Sequence, residues 1–271
     1  MWQLLQDIGG KKSMNRIQNA FKDQKAFIAF LTAGDPTLDQ TKRYIHKITE
    51  AGASLIEIGI PFSDPIAEGP TIQNANVRAL KNNVHTDNVM AMVKEVREEG
   101  IDIPLCFMTY LNVVFHYGYE AFFKKCQEVG IDGIIIPDLP YEEAMEVSSV
   151  CTQYGVSLIS MIAPTSKERV KMIAQEAEGF IYLVSSMGVT GTRSNAAFAL
   201  NLPDIVASIK EVTKTPVAVG FGIHNPEQAK EMASFSDGVI VGSGIVNIIA
   251  NQDQDVEDAV YNYVKDMCAV L

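Results

Sequence analysis

Eight short aliphatic or β-branched runs recur along the chain, each followed by a stretch with helical periodicity, and this alternation constrains the fold more than any other feature. The runs are Phe27–Leu31, Leu55–Gly59, Pro104–Met108, Gly133–Pro137, Ser157–Ile162, Phe180–Val184, Pro216–Gly220 and Gly238–Val241. Helical patterns fill the intervals at Leu38–Ala51, Asp87–Glu99, Tyr119–Val129, Glu142–Tyr154, Ser166–Glu176, Leu202–Val212, Pro226–Phe235 and an acidic stretch after Asp253. Asn225 before Pro226, with Gln228 three residues after the Asn, fits an N-cap with proline in the first helical turn.

Repeated βα units build a parallel sheet, and eight of them in 271 residues match one closed barrel, for which about 250 residues is typical. The expected fold class is α/β, a (β/α)8 TIM barrel forming a single domain over residues 1–271. Periodicity alone does not separate it from an open doubly wound sheet, but no GxGxxG fingerprint follows the first run. Met14, Ile17 and Phe21 form an apolar stripe behind Ser13, which predicts an extra N-terminal helix placed to cover the barrel's bottom.

Composition narrows the partners. The formal net charge of −11 argues against nucleic acid or an anionic membrane surface, since both require basic patches. An anionic small molecule stays open, because bare backbone amides bind phosphate locally whatever the distant charge. Cys106, Cys126, Cys151 and Cys268 have no CxxC spacing and read as free thiols. The amino terminus, MWQLLQDIGGKK, lacks a secretory signal pattern, and the longest weakly polar run, Gly238 to Ala250, is too short to span a bilayer, so the expected location is cytoplasmic.

Chemistry concentrates between Leu55 and Gln73, reading LIEIGIPFSDPIAEGPTIQ. Glu57 interrupts an apolar strand, where an ionisable group is costly unless paired or used. Desolvation there raises a carboxyl pKa, as a general acid near neutral pH requires. Asp64, between Ser63 and Pro65, reads equally as an Asx-turn residue or as a functional acid. By composition Glu68 is an exposed loop acid. Tyr110 and Tyr182 stand at strand ends, where packing is the usual role and a hydrogen bond to substrate the alternative. The four histidines show no metal spacing, so no metal site is assigned.

Glycine-bearing segments follow the sixth, seventh and eighth runs: GVTGTR at Gly188–Arg193, GFGI at Gly220–Ile223 and VGSGI at Val241–Ile245. Barrels commonly bind phosphate at the last two βα loops and the start of a short helix. Gly222, Gly242 and Ser243 fit that description, with Gly191 closing from the side.

Four segments, IEIGIPFSDPIAEGPTIQNAN, MTYLNVVF, YLVSSMGVTGTR and GFGIHNPEQ, occur in order with VGSGIV after them, and they resemble the tryptophan synthase alpha chain family from about Phe21 to Ile249. The resemblance implies retro-aldol cleavage of indole-3-glycerol phosphate to indole and glyceraldehyde 3-phosphate, with no cofactor in this chain. It implies that indole passes to a pyridoxal-phosphate (PLP) beta subunit in an alpha2-beta2 heterotetramer. By motif position Glu57 would be the acid-base residue and Glu68 would accept the indole N–H, where the family usually has aspartate. Phe30, Ile72 and Tyr110 would contact the substrate's ring end, Tyr182 would lie near the substrate, Gly191, Gly222, Gly242 and Ser243 would bind its phosphate, and Thr190 would lie in a closing loop. Asp64 would serve communication with the beta subunit. A stand-alone indole-releasing lyase, a phosphosugar-binding barrel acting mainly as activator of its partner, and a phosphosugar isomerase of the same fold remain alternatives.

Overall fold

The computed structural model describes residues 16–164, 166–184, 202–220, 222–251 and 255–271. Its strands are β1 (Ala26–Thr32), β2 (Leu55–Gly59), β3 (Leu105–Met108), β4 (Gly133–Ile135), β5 (Ser157–Leu158), β6 (Ser160–Ile162), β7 (Ile181–Val184), β8 (Val217–Gly220) and β9 (Gly238–Val241). All pair in parallel in the order β5-β4-β3-β2-β1-β9-β8-β7-β6. The two ends of that order are consecutive in the chain, parted only by Ile159, so the sheet curls into a barrel.

The eight expected runs are therefore present, with the fifth divided. At Ile159 the stretch changes neighbour: its amide donates to Ile134 O of β4 at 2.9 Å, while Ser160 onward pairs with β7. Three helices that the periodicity did not show, Pro70–Leu80, Leu111–Tyr117 and Ser243–Ala250, stand after β2, β3 and β9. Asn225 caps its helix as expected, its side-chain oxygen accepting from Gln228 N at 2.9 Å.

Strand residues alternate between two buried surfaces, which is why the runs read as continuously apolar. One set, including Phe27, Leu31, Ile56, Ile58 and Phe107, packs beneath the surrounding helices. The other, including Ile28, Leu55, Cys106, Ile135, Tyr182, Ala218 and Ile240, fills the barrel. Ile17, from the helix Arg16–Ala20, and Phe21 just after it join this inner set, so the expected N-terminal helix plugs the barrel; Ser13 and Met14 lie outside the described residues. Gly133 leaves room for the plug, since a Cβ there would stand 2.9 Å from Cys106 Sγ and 3.2 Å from Ile17 Cδ1.

Polar groups lock the same end. The Arg97 guanidinium donates to the carbonyls of Ile101, Ile103 and Gly130 and to Asp132 Oδ2 at 2.6 Å, and Arg16 reaches Asp132 Oδ1 at 3.1 Å. All four cysteines are free, three of them buried and Cys268 partly so. No helix among the described residues is long and apolar enough to cross a membrane.

Candidate active site

β2 carries Glu57 on its inner face, in register with Phe30 of β1 and Cys106 of β3. The side chain is fully buried, and among the described residues neither carboxyl oxygen has a hydrogen-bond partner. Desolvation raises its pKa to about 8, so the group is held mostly protonated at neutral pH. A buried orphan carboxyl is costly, and here it opens onto a cavity of about 860 Å³ at the carboxyl ends of the strands.

Glu68 lines the same cavity from the loop that precedes the helix Pro70–Leu80. Burial lifts its carboxyl to about 7, opposed by a hydrogen bond from Asn76 Nδ2 to Oε2 at 2.8 Å. Gln73 Nε2 donates to the Glu68 carbonyl at 2.8 Å, and the amide of Ala67 donates to the Tyr110 hydroxyl at 3.0 Å. Phe62 stacks against Tyr110 with ring centroids 5.1 Å apart. Tyr110 is not among the described residues lining the cavity; it braces the acidic loop from behind, and burial raises its hydroxyl pKa.

Phe30, Ile72 and Tyr182 line the apolar part. Glycines let the two rings lie flat: a Cβ on Gly59 would come 2.9 Å from Phe30 Cζ, and one on Gly220 2.6 Å from the Tyr182 hydroxyl. Burial and the charge of Glu57 both raise the Tyr182 pKa.

Gly222, Gly242 and Ser243 line the cavity, as the sequence predicts for a phosphate end. Gly222 adopts φ +79, and no described residue beyond its chain neighbours comes within 4 Å of where its Cβ would sit. Gly242 N-caps the helix Ser243–Ala250 with no side-chain cap, leaving first-turn amides for an anion. Asp64 is exposed and outside this wall, accepting from Ser63 Oγ at 2.5 Å. Thr190 and Gly191 lie outside the described residues. Among the described residues no group of three or more His, Cys, Asp or Glu is placed to hold a metal ion.

A family model described as tryptophan synthase alpha chain matches residues 17–269. The chain belongs to this family. The alpha chain of Lactiplantibacillus plantarum is 47% identical over 259 residues, covering 95% of this chain and 97% of the relative. That of Lacticaseibacillus casei is 45% identical over 254 residues, covering 94% of each. Among solved structures, the Legionella pneumophila alpha subunit superposes with a TM-score of 0.84 at 38% identity, covering 95% and 98% of the two chains. A chain of the Pyrococcus furiosus tryptophan synthase complex gives 0.81 at 33% identity, covering 91% and 99%.

The cavity thus pairs a carboxyl-bearing apolar wall with a glycine-rich end at Gly222, Gly242 and Ser243. Sequence reasoning missed Asn76, which is 4% exposed and touches Glu68 directly. Its signal was available: Ile72, Ala75, Asn76 and Ala79 form the buried stripe of one helix, and a polar residue in such a stripe needs partners. His224 was also passed over; it lines the cavity, its Nδ1 3.0 Å from Gly222 O.

Proposed function

We propose that this alpha chain cleaves indole-3-glycerol phosphate through Glu57 and Glu68 acting from two parts of one cavity wall. The observation that carries the reading is the orphan Glu57 carboxyl, buried, raised to about 8 and facing the cavity. Protonated Glu57 delivers its proton to indole C3, leaving positive charge on the ring at nitrogen. The resulting carboxylate then takes the proton of the glycerol hydroxyl. As the carbonyl forms, the bond to C3 breaks and its electron pair returns to the ring, giving indole and glyceraldehyde 3-phosphate. Glu57 ends as it began, protonated.

Ionised Glu68 accepts the indole N–H and offsets the transient charge. Phe30, Ile72 and Tyr182 hold the ring, Tyr110 supports the acidic loop, and Gly222, Gly242 and Ser243 bind the phosphate, with Thr190 and Gly191 assigned to its cover by motif position. Side-chain acid-base groups supply every proton in this scheme, so the chain's step calls for no cofactor, and PLP chemistry belongs to the beta subunit.

The Pyrococcus furiosus neighbour is part of a tryptophan synthase complex, and we assign this chain to an alpha2-beta2 assembly of the same kind in the cytoplasm. Ile66, Phe115 and Met145, large apolar residues exposed at 76%, 68% and 80%, follow β2, β3 and β4 at the cavity end. Exposed apolar groups on one end mark an interaction surface, and Asp64 shares the loop of Ile66. The test of the chemical reading is indole release by the purified chain: Glu57→Gln should lower turnover at least about 10²-fold. Equal turnover would remove Glu57 from the mechanism.

A further inference from the structure

Asn76 stands on the core face of the helix Pro70–Leu80, yet both ends of its amide are used on the acidic loop. Its Oδ1 accepts from Phe62 N at 3.2 Å, and its Nδ2 donates to Glu68 Oε2 at 2.8 Å. The backbone N–H of Phe62 can only donate, so it fixes which end of the amide faces which partner. Glu68 therefore receives a donor, which favours its ionised form over its protonated one. Oε2 is held sideways by Asn76, and among the described residues Oε1 has no hydrogen bond. The same amide ties the start of the loop, at Phe62, to its end, at Glu68.

We infer that Asn76 is a positioning residue for the lyase reaction, holding the Glu68 carboxylate in place and ionised so that it can accept the indole N–H. The inference rests on the reading of Glu68 as that acceptor. Glutamate has one more rotatable bond than aspartate, so a carboxylate at position 68 gains most from a lateral restraint of this kind. Burial already lifts Glu68 to about 7, and the Asn76 bond opposes that rise. Removing the donor lets the pKa climb, and a larger share of Glu68 is then protonated at neutral pH. Among the described residues the other titratable groups lining this cavity are Glu57, Tyr141, Arg169, Tyr182 and His224, and Tyr110 ahead of the helix Leu111–Tyr117, Asp138 beyond β4 and Asp64 on the loop itself stand outside its wall.

The experiment is the pH dependence of kcat and KM for indole release in wild type, Asn76→Leu, Asn76→Asp and Glu68→Gln, and in Asn76→Leu combined with Glu68→Gln. Asn76→Asp keeps an acceptor for Phe62 N while withdrawing the neutral donor, so it serves where Asn76→Leu fails to fold. Both variants should lower kcat about tenfold at pH 7 with KM changed less than about threefold, and should move the acidic limb of the kcat profile upward by about half a pH unit or more. In the Glu68→Gln background, which has no carboxyl to hold ionised, Asn76→Leu should change kcat less than about twofold. Loss of activity in Glu68→Gln with no limb shift in either Asn76 variant would overturn the role of Asn76 and leave Glu68 standing. Full activity in Glu68→Gln would overturn both.

Discussion

The ring of Tyr182 occupies the space that a side chain on Gly220 would need, with its hydroxyl oxygen 2.6 Å from where that Cβ would sit. The two residues are on adjacent strands, β7 and β8, and the tyrosine lies against the cavity that Glu57 faces. Gly220→Ala should push the tyrosine into that cavity. We expect a loss of indole release of tenfold or more, with a stability cost of about 1–3 kcal/mol from overpacking. Steady-state assay and urea unfolding of the same preparation check both, and an alanine variant with normal KM and turnover would show that the ring has room to move.

Burial of Glu57 makes stability depend on pH in a stated direction. Its folded-state pKa, about 8, lies above the ordinary carboxyl value of 4.5, so its contribution is complete below about 4.5 and is lost as pH rises through 8. Glu57→Gln removes this dependence. The unfolding free energy of the variant should gain on that of wild type between pH 6 and pH 9, by an amount on the order of a few kcal/mol. A difference that stays constant over that range would mean that the carboxyl is not buried as described.

Asp35, 1% exposed, receives two hydrogen bonds of 2.7 Å from Arg78, which links the loop after β1 to the helix that carries Asn76. Removing the arginine leaves a buried carboxylate unpaired. Because Arg78 is itself a third exposed, Arg78→Met should cost about 2–3 kcal/mol, at or just below the low end of what breaking a fully buried pair costs. Thermal unfolding measures this, and Asp35→Asn in the Arg78→Met background should recover part of the loss.

Phe115 is 68% exposed on the helix Leu111–Tyr117, and we expect Phe115→Asp to weaken assembly with the beta subunit while leaving the isolated chain's indole release within about twofold. Titration calorimetry with the beta subunit reads the first and a steady-state assay the second. Unchanged affinity would move the interface elsewhere.

The barrel was legible because strands buried on both surfaces leave continuous apolar runs, and Glu57 was legible as the one charge within such a run. The division of the fifth run at Ile159 was not, since a change of hydrogen-bond neighbour leaves no trace in hydrophobicity. The helix Pro70–Leu80 escaped notice because Gly69 and Pro70 read as loop punctuation and its core stripe holds one large apolar residue, Ile72, beside two alanines and an asparagine. The helix Leu111–Tyr117 is only seven residues long, too short for periodicity to declare itself. Asp64, evenly balanced between turn and function by sequence, and Tyr110, whose usual role at a strand end is packing, took their places only from the loop's geometry: one faces solvent, and the other supports Ala67 and is not among the described residues lining the cavity.

The central claim is that Glu57 is a carboxylic acid, not a carboxylate, in the resting protein at neutral pH. Infrared difference spectra of wild type minus Glu57→Gln, recorded from pH 6 to pH 10, measure this directly through the carbonyl band of the protonated side chain. The band should be present at pH 7 and disappear as pH rises through about 8. A Glu57 already ionised at pH 6 would contradict the account.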